Sequence, residues 1–158
     1  MTTLRHYDQT DDFDEVFSFA REIISEPPHE NAQQELSDYP LKKTVAKVAL
    51  NDAGEIIGFC TASFPYWNGV AIMDYLVVKP EWRNNGVGAE LVTEVEQELR
   101  HAGIRIVTVQ TVAWNEAGIR FYERQEYTRR VVFRDYFGES NHMVWLDRSL
   151  PTQTEESR

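Results

Sequence analysis

"EWRNNGVGAELV", residues 81–92, is the stretch on which the fold turns. Before it runs "VAIMDYLVV" (70–78), apolar nearly throughout, as in a strand buried on both faces. After it, Leu91, Val92, Val95, Leu99 and Ala102 recur at helical spacing. Pro80 ends the strand and Gly103 caps the helix, so the stretch is a strand-to-helix junction. Gly86 and Gly88 stand where the helix begins. A helix N-terminus carries unpaired N–H groups and a partial positive charge, so it attracts phosphate. Glycine admits the φ values of a tight loop and removes the Cβ that would block a close approach. The junction reads as a phosphate cradle, and the bland alternative is a plain turn.

Two common cradles do not fit. A P-loop requires Gly-Lys-Ser/Thr after its first glycine, and no Lys follows either glycine here. A dinucleotide fingerprint requires a third glycine where Leu91 stands, and an acidic residue about 20 positions on, near "RIVTVQ", where there is none.

On the N-terminal side, "DDFDEVFSFAREIIS" (11–25) puts Phe13, Val16, Phe17, Ala20 and Ile24 on one helical stripe, ended by Pro27 and Pro28. A second helix is expected over Glu30 to Asp38. "KTVAKVAL", "NDAG" and "EIIGFCTASF" read as a hairpin. On the C-terminal side, "IRIVTVQTV" is a β-branched strand, and Asn115 is an N-cap for the helix in "NEAGIRFYER". "YTRRVVFRDYF", "GESN" and "HMVWLDRSL" form a last hairpin. The order is that of a mixed α/β domain over residues 1–150, with 151–158 expected to be a disordered tail.

Two motifs carry a resemblance to a known family. "VVKPEWRNNGVGAELV" resembles the central motif of the GNAT acetyltransferase superfamily, with Arg83, Gly86 and Gly88 at its marked positions. "NEAGIRFYERQEY" is similar to that family's second signature through Asn115, Phe121 and Tyr122. The resemblance implies a mostly antiparallel sheet of about seven strands, helices on both faces, and two splayed parallel strands with acetyl-CoA between them. The splayed pair would be "VAIMDYLVV" and "IRIVTVQTV". It further implies that the backbone of Leu76, Val77 and Val78 pairs with the pantetheine arm. The loop of Arg83, Asn84, Asn85, Gly86, Val87, Gly88 and Ala89 would take the pyrophosphate, with Asn115 as a polar contact. One departure is Glu126-Tyr127, where the family often has Gly-Phe.

By the same resemblance Tyr122 is the general acid that protonates the leaving thiolate, and also touches the cofactor. Asp74, the one ionisable residue of its apolar run, is the candidate base. A carboxylate there needs a partner, water or a shifted pKa. For the acceptor, Glu26, His29, Tyr66 and Trp67 are the candidates, with Glu30, Tyr39, Phe64 and Tyr136 nearby in the family's pocket. Carboxylates with aromatics suit a cationic amine, although each alone reads better as ordinary surface. Trp82 and Trp114, which flank the motifs, are expected to pack there.

Composition narrows the classes. A net charge of −10 counts against nucleic acid, whose phosphates call for Lys and Arg. No apolar run reaches the roughly 20 residues of a membrane span, and the N-terminus lacks a signal-peptide pattern. One cysteine, Cys60, suits a reducing cytoplasm and reads as a small buried residue. It lies on the strand preceding the splayed pair rather than next to Tyr122, which argues against an acyl-enzyme. Four histidines show no metal spacing. The expected activity is acetyl transfer from acetyl-CoA to a primary amine of a small molecule or peptide, by direct attack in a ternary complex. The late strands could pair two copies. The alternative is a non-catalytic acyl-CoA-binding module of the same fold.

Overall fold

A computed structural model describes residues 1–23, 44–64 and 68–151. The expected second helix, Pro27, Pro28, Glu26, His29, Glu30, Tyr39, Tyr66, Trp67 and the 152–158 tail lie outside them. The elements in chain order are β1 (Thr3–His6), α1 (Gln9–Ile23), β2 (Thr44–Leu50), β3 (Ile56–Ser63) and β4 (Val70–Val78). A single 3-10 turn, Pro80–Trp82, leads to α2 (Val87–His101), β5 (Ile106–Val112), α3 (Glu116–Arg124), β6 (Thr128–Phe133) and β7 (Met143–Ser149). One seven-stranded sheet runs β1-β2-β3-β4-β5-β7-β6, antiparallel except for the β4–β5 pair. Among the described residues no helix is long and apolar enough to cross a membrane.

The two faces of the sheet bury separate clusters. Val16, Phe19 and Ala20 of α1 pack on Val48, Phe59 and Val77. Val87, Leu91, Val92, Val95 and Leu99 of α2, with Ile119 and Tyr122 of α3, pack on Cys60, Ala71, Met73, Val107, Val109 and Leu146. Asp12 is buried on α1 beside its apolar stripe, where Arg5 grips it through two hydrogen bonds of 2.6 and 2.7 Å. That grip ties β1 to α1. β1 itself is absent from the sequence reading, because "TLRH" shows no apolar alternation and is a strand only through its pairing with β2.

β4 departs from the expected strand buried on both faces. Ile72 is 38% exposed, and Asp74, Tyr75 and Leu76 are half-buried. The register gives the reason. Thr61 pairs with Tyr75 but Ala62 pairs with Met73, so Asp74 is an extra residue, a β-bulge that bends the strand. β4 and β5 pair only from Val70↔Ile106 to Met73↔Val109. Beyond that point the two parallel strands separate into a fork whose vertex is Met73, Val109 and the bulge.

Candidate functional site

Among the described residues, one arm of the fork offers a strand edge with no ladder partner beyond Met73. Lys79 N–H donates to Ile57 O at 2.9 Å, so on this side of the bulge the backbone groups of Tyr75 and Val77 face β3. By alternation the N–H and C=O of Leu76 and Val78 face the fork. The Val78 carbonyl accepts from Arg83 Nε at 3.0 Å, so the Arg83 side chain is seated against the end of β4.

At the mouth of the fork stands the N-terminus of α2. Gly86 is its N-cap in the left-handed region, φ 85°, and Asn84 is also left-handed at φ 62°. No side chain caps the helix, and among the described residues the amides of 84–89 meet no acceptor. A Cβ at Gly86 would meet nothing within 4 Å among the described residues. This is an uncapped, anion-attracting helix start. Asn85 turns its side-chain amide back onto the Arg83 carbonyl at 3.0 Å. Val87 is buried in the core, and Ala89 is half-buried. Gly88 serves packing instead. A Cβ there would lie 3.3 Å from the Phe121 ring, so its absence lets α3 close against α2.

The other arm leads to α3. Asn115 caps that helix, accepting from Gly118 N–H at 3.1 Å and donating from Nδ2 to Thr111 Oγ1 at 3.2 Å. A Cβ at Gly118 would strike the Asn115 side chain, which explains the glycine. The cap sets the angle of α3 and thereby sends Tyr122 to the vertex. Tyr122 is buried, and its hydroxyl donates weakly to Met73 Sδ at 3.8 Å. Burial, then the nearby Cys60, pushes its phenol well above the ordinary range, so it holds its proton at neutral pH.

Cys60 therefore lies within electrostatic reach of Tyr122, contrary to the expectation from their places in the sequence. Burial, followed by the charges of Glu96 and Asp74, pushes its thiol far up. Its lack of nucleophilic character comes from burial, not from distance. Asp74, the bulged residue next to Met73, stands at the vertex. Among the described residues no three His, Cys, Asp or Glu side chains gather as a metal site.

Trp82 packs half-buried against the core, whereas Trp114 is 60% exposed and does not. Of the acceptor neighbours, Phe64 packs on the core and Tyr136 is exposed. The sequence reading missed Glu96, which lies in the core beside this site, because a Glu in a helix reads as solvent-facing. Its spacing of four from Val92 and three from Leu99 carried the signal.

Residues 9–127 match the model of the acetyltransferase (GNAT) family. An acetyltransferase of Sodalis glossinidius is 30% identical over 121 residues, 74% of this chain and 81% of that protein. An aminoglycoside 6′-N-acetyltransferase complexed with coenzyme A superposes with a TM-score of 0.83 at 18% identity, over 94% of this chain and 98% of its own. Arabidopsis thaliana NAA60 in complex with a bisubstrate analogue does so with a TM-score of 0.80 at 17% identity, over 94% and 98%. Two sequence motifs, a forked sheet and a family match over most of its length lead to one conclusion: the chain belongs to the GNAT acetyltransferase family.

Proposed function

We propose that the protein is a cytoplasmic, single-domain N-acetyltransferase that transfers an acetyl group from acetyl-CoA to a primary amine by direct attack in a ternary complex. The observation that carries this reading is the convergence of three features on one fork: the strand edge at Leu76 and the Val78 amide, the uncapped start of α2, and the Tyr122 hydroxyl at the vertex. The pyrophosphate of the donor fits the amides of 84–89, and the pantetheine arm fits the edge, with Val77 between the two pairing residues. These groups suit coenzyme A because they are backbone donors and acceptors in the order its chain needs them.

The acceptor amine must be neutral to attack. A lysine-like pKa of about 10.4 costs roughly 4.6 kcal/mol to deprotonate at pH 7. Asp74, through water, is the group we assign to take that proton. As the nitrogen bonds to the acetyl carbon and the C–S bond breaks, the departing thiolate takes the Tyr122 proton. The aminoglycoside enzyme, named as an N-acetyltransferase, supports an amine as acceptor. Glu26, His29, Tyr66 and Trp67 stay our candidates for holding it. Any pairing of two copies would use the outer edge of β6, where Val131, Val132 and Phe133 are exposed.

The test is thiol release from acetyl-CoA with a panel of amines and peptide N-termini, in the parent and in Tyr122→Phe. We expect Tyr122→Phe to lower kcat about a hundredfold, the usual scale of acid catalysis, and to leave the acetyl-CoA Kd unchanged. Equal turnover would remove Tyr122 from the mechanism. Donor binding with no turnover on any amine would favour the non-catalytic module instead.

A further inference from the structure

Glu96 of α2 is 3% exposed and flanked by Val92, Val95 and Leu99 in the core. Its Oε1 accepts from the Tyr127 hydroxyl at 2.7 Å, and its Oε2 accepts from Arg148 Nη1 at 2.7 Å. Arg148 Nη2 also reaches Glu126 at 2.7 Å. Glu126 holds the left-handed backbone, φ 66°, that swings the chain out of α3. One guanidinium thus binds both the carboxylate behind Tyr127 and the residue before it.

Tyr127 in turn borders Tyr122. Their rings meet edge to face, with centroids 5.3 Å apart at 67°, and Tyr127 N–H donates to the Tyr122 carbonyl at 3.0 Å. The Tyr122 hydroxyl has only a weak contact to Met73 sulfur among the described residues, so the walls around its ring set its direction. A buried carboxylate is costly, and apolar residues at 96 and 127 would fill the same space more cheaply. The hydrogen bond from Tyr127 adds what apolar packing lacks, a fixed ring position.

We propose that Glu96 is a positioning residue: with Arg148 behind it, it anchors the Tyr127 hydroxyl, and the Tyr127 ring holds Tyr122 at the vertex of the fork. This rests on the reading of Tyr122 as the acid. Tyr127→Phe keeps the ring and removes the anchor. Misplacing a reacting group by a fraction of an ångström is worth about tenfold in kcat, with KM for acetyl-CoA unchanged. Glu96→Ala should lose a similar factor, and combining it with Tyr127→Phe should lose little more, since the two act as one unit. Glu96→Gln keeps one acceptor oxygen for Tyr127 but turns its amide NH2 toward Arg148, so it should recover only part of the rate.

The direct readout is fluorine NMR of protein carrying 3-fluorotyrosine, with the Tyr122 signal assigned by its loss in Tyr122→Phe. The signal should shift or broaden in Tyr127→Phe and Glu96→Ala and move less in Glu96→Gln. Tyr127→Phe alone decides the matter if Glu96→Ala fails to fold. A signal shifted in the variants while the parent shows no turnover would uphold the anchoring and sink the acetyl-transfer reading. An unshifted signal, with Tyr127→Phe as fast as an active parent and only less stable, would overturn the anchoring.

Discussion

Gly86 and Gly88 are the same letter with different duties. Gly86 is needed for its backbone, φ 85°, and faces open space, while Gly88 is needed because Phe121 occupies the room a side chain would take. Sequence alone assigned both to a ligand, since the second reason depends on where α3 packs. Asp74 shows the converse. One carboxylate in an apolar run was legible as unusual, but the bulge that sets it at the vertex is a matter of register with β3. Asp74→Asn removes the proposed base and leaves the shape intact. We expect kcat to fall at least about tenfold and the acidic limb of the pH–rate profile to vanish, measured in the same amine assay. An unchanged profile would reassign Asp74 to structure.

At the scale of elements, helices with apolar stripes and strands bounded by Pro or Gly were readable, and β4 falls on the expected residues. β1 was not, because its four residues owe their conformation to partners: the β2 ladder and the Arg5–Asp12 grip. Burial works against the Asp12 charge, but the bonds from Arg5 and from the Asp8 amide outweigh it and hold the carboxyl below its ordinary value. A lowered native pKa gives stability that is present above the ordinary carboxylate range and is lost as pH falls through the native value. Asp12→Ala should therefore cost roughly 1–3 kcal/mol at pH 7 in a denaturant melt, the scale of charged hydrogen bonds. The gap from the parent should close as pH falls through the native value of Asp12, where the carboxyl takes up its proton. A gap that persists there would mean that packing, not the ion pair, is what Asp12 supplies.

For the whole molecule, the decisive feature is the fork, and no single residue encodes it. It arises where a bulged β4 leaves a β5 that continues straight into its own pairing with β7. Composition made a compact acidic chain legible, and two motifs made the family legible, but the convergence of edge, helix start and tyrosine required the sheet order. Everything proposed for the site depends on that fork holding acetyl-CoA. The most direct measurement is calorimetric titration of acetyl-CoA into the parent and into Gly86→Glu, with both checked for folding by circular dichroism. The variant places a negative side chain where the pyrophosphate would sit. Saturable binding by the parent, and its loss in a folded variant, is the expected result. No heat with the parent, or equal affinity in both proteins, would contradict the cradle.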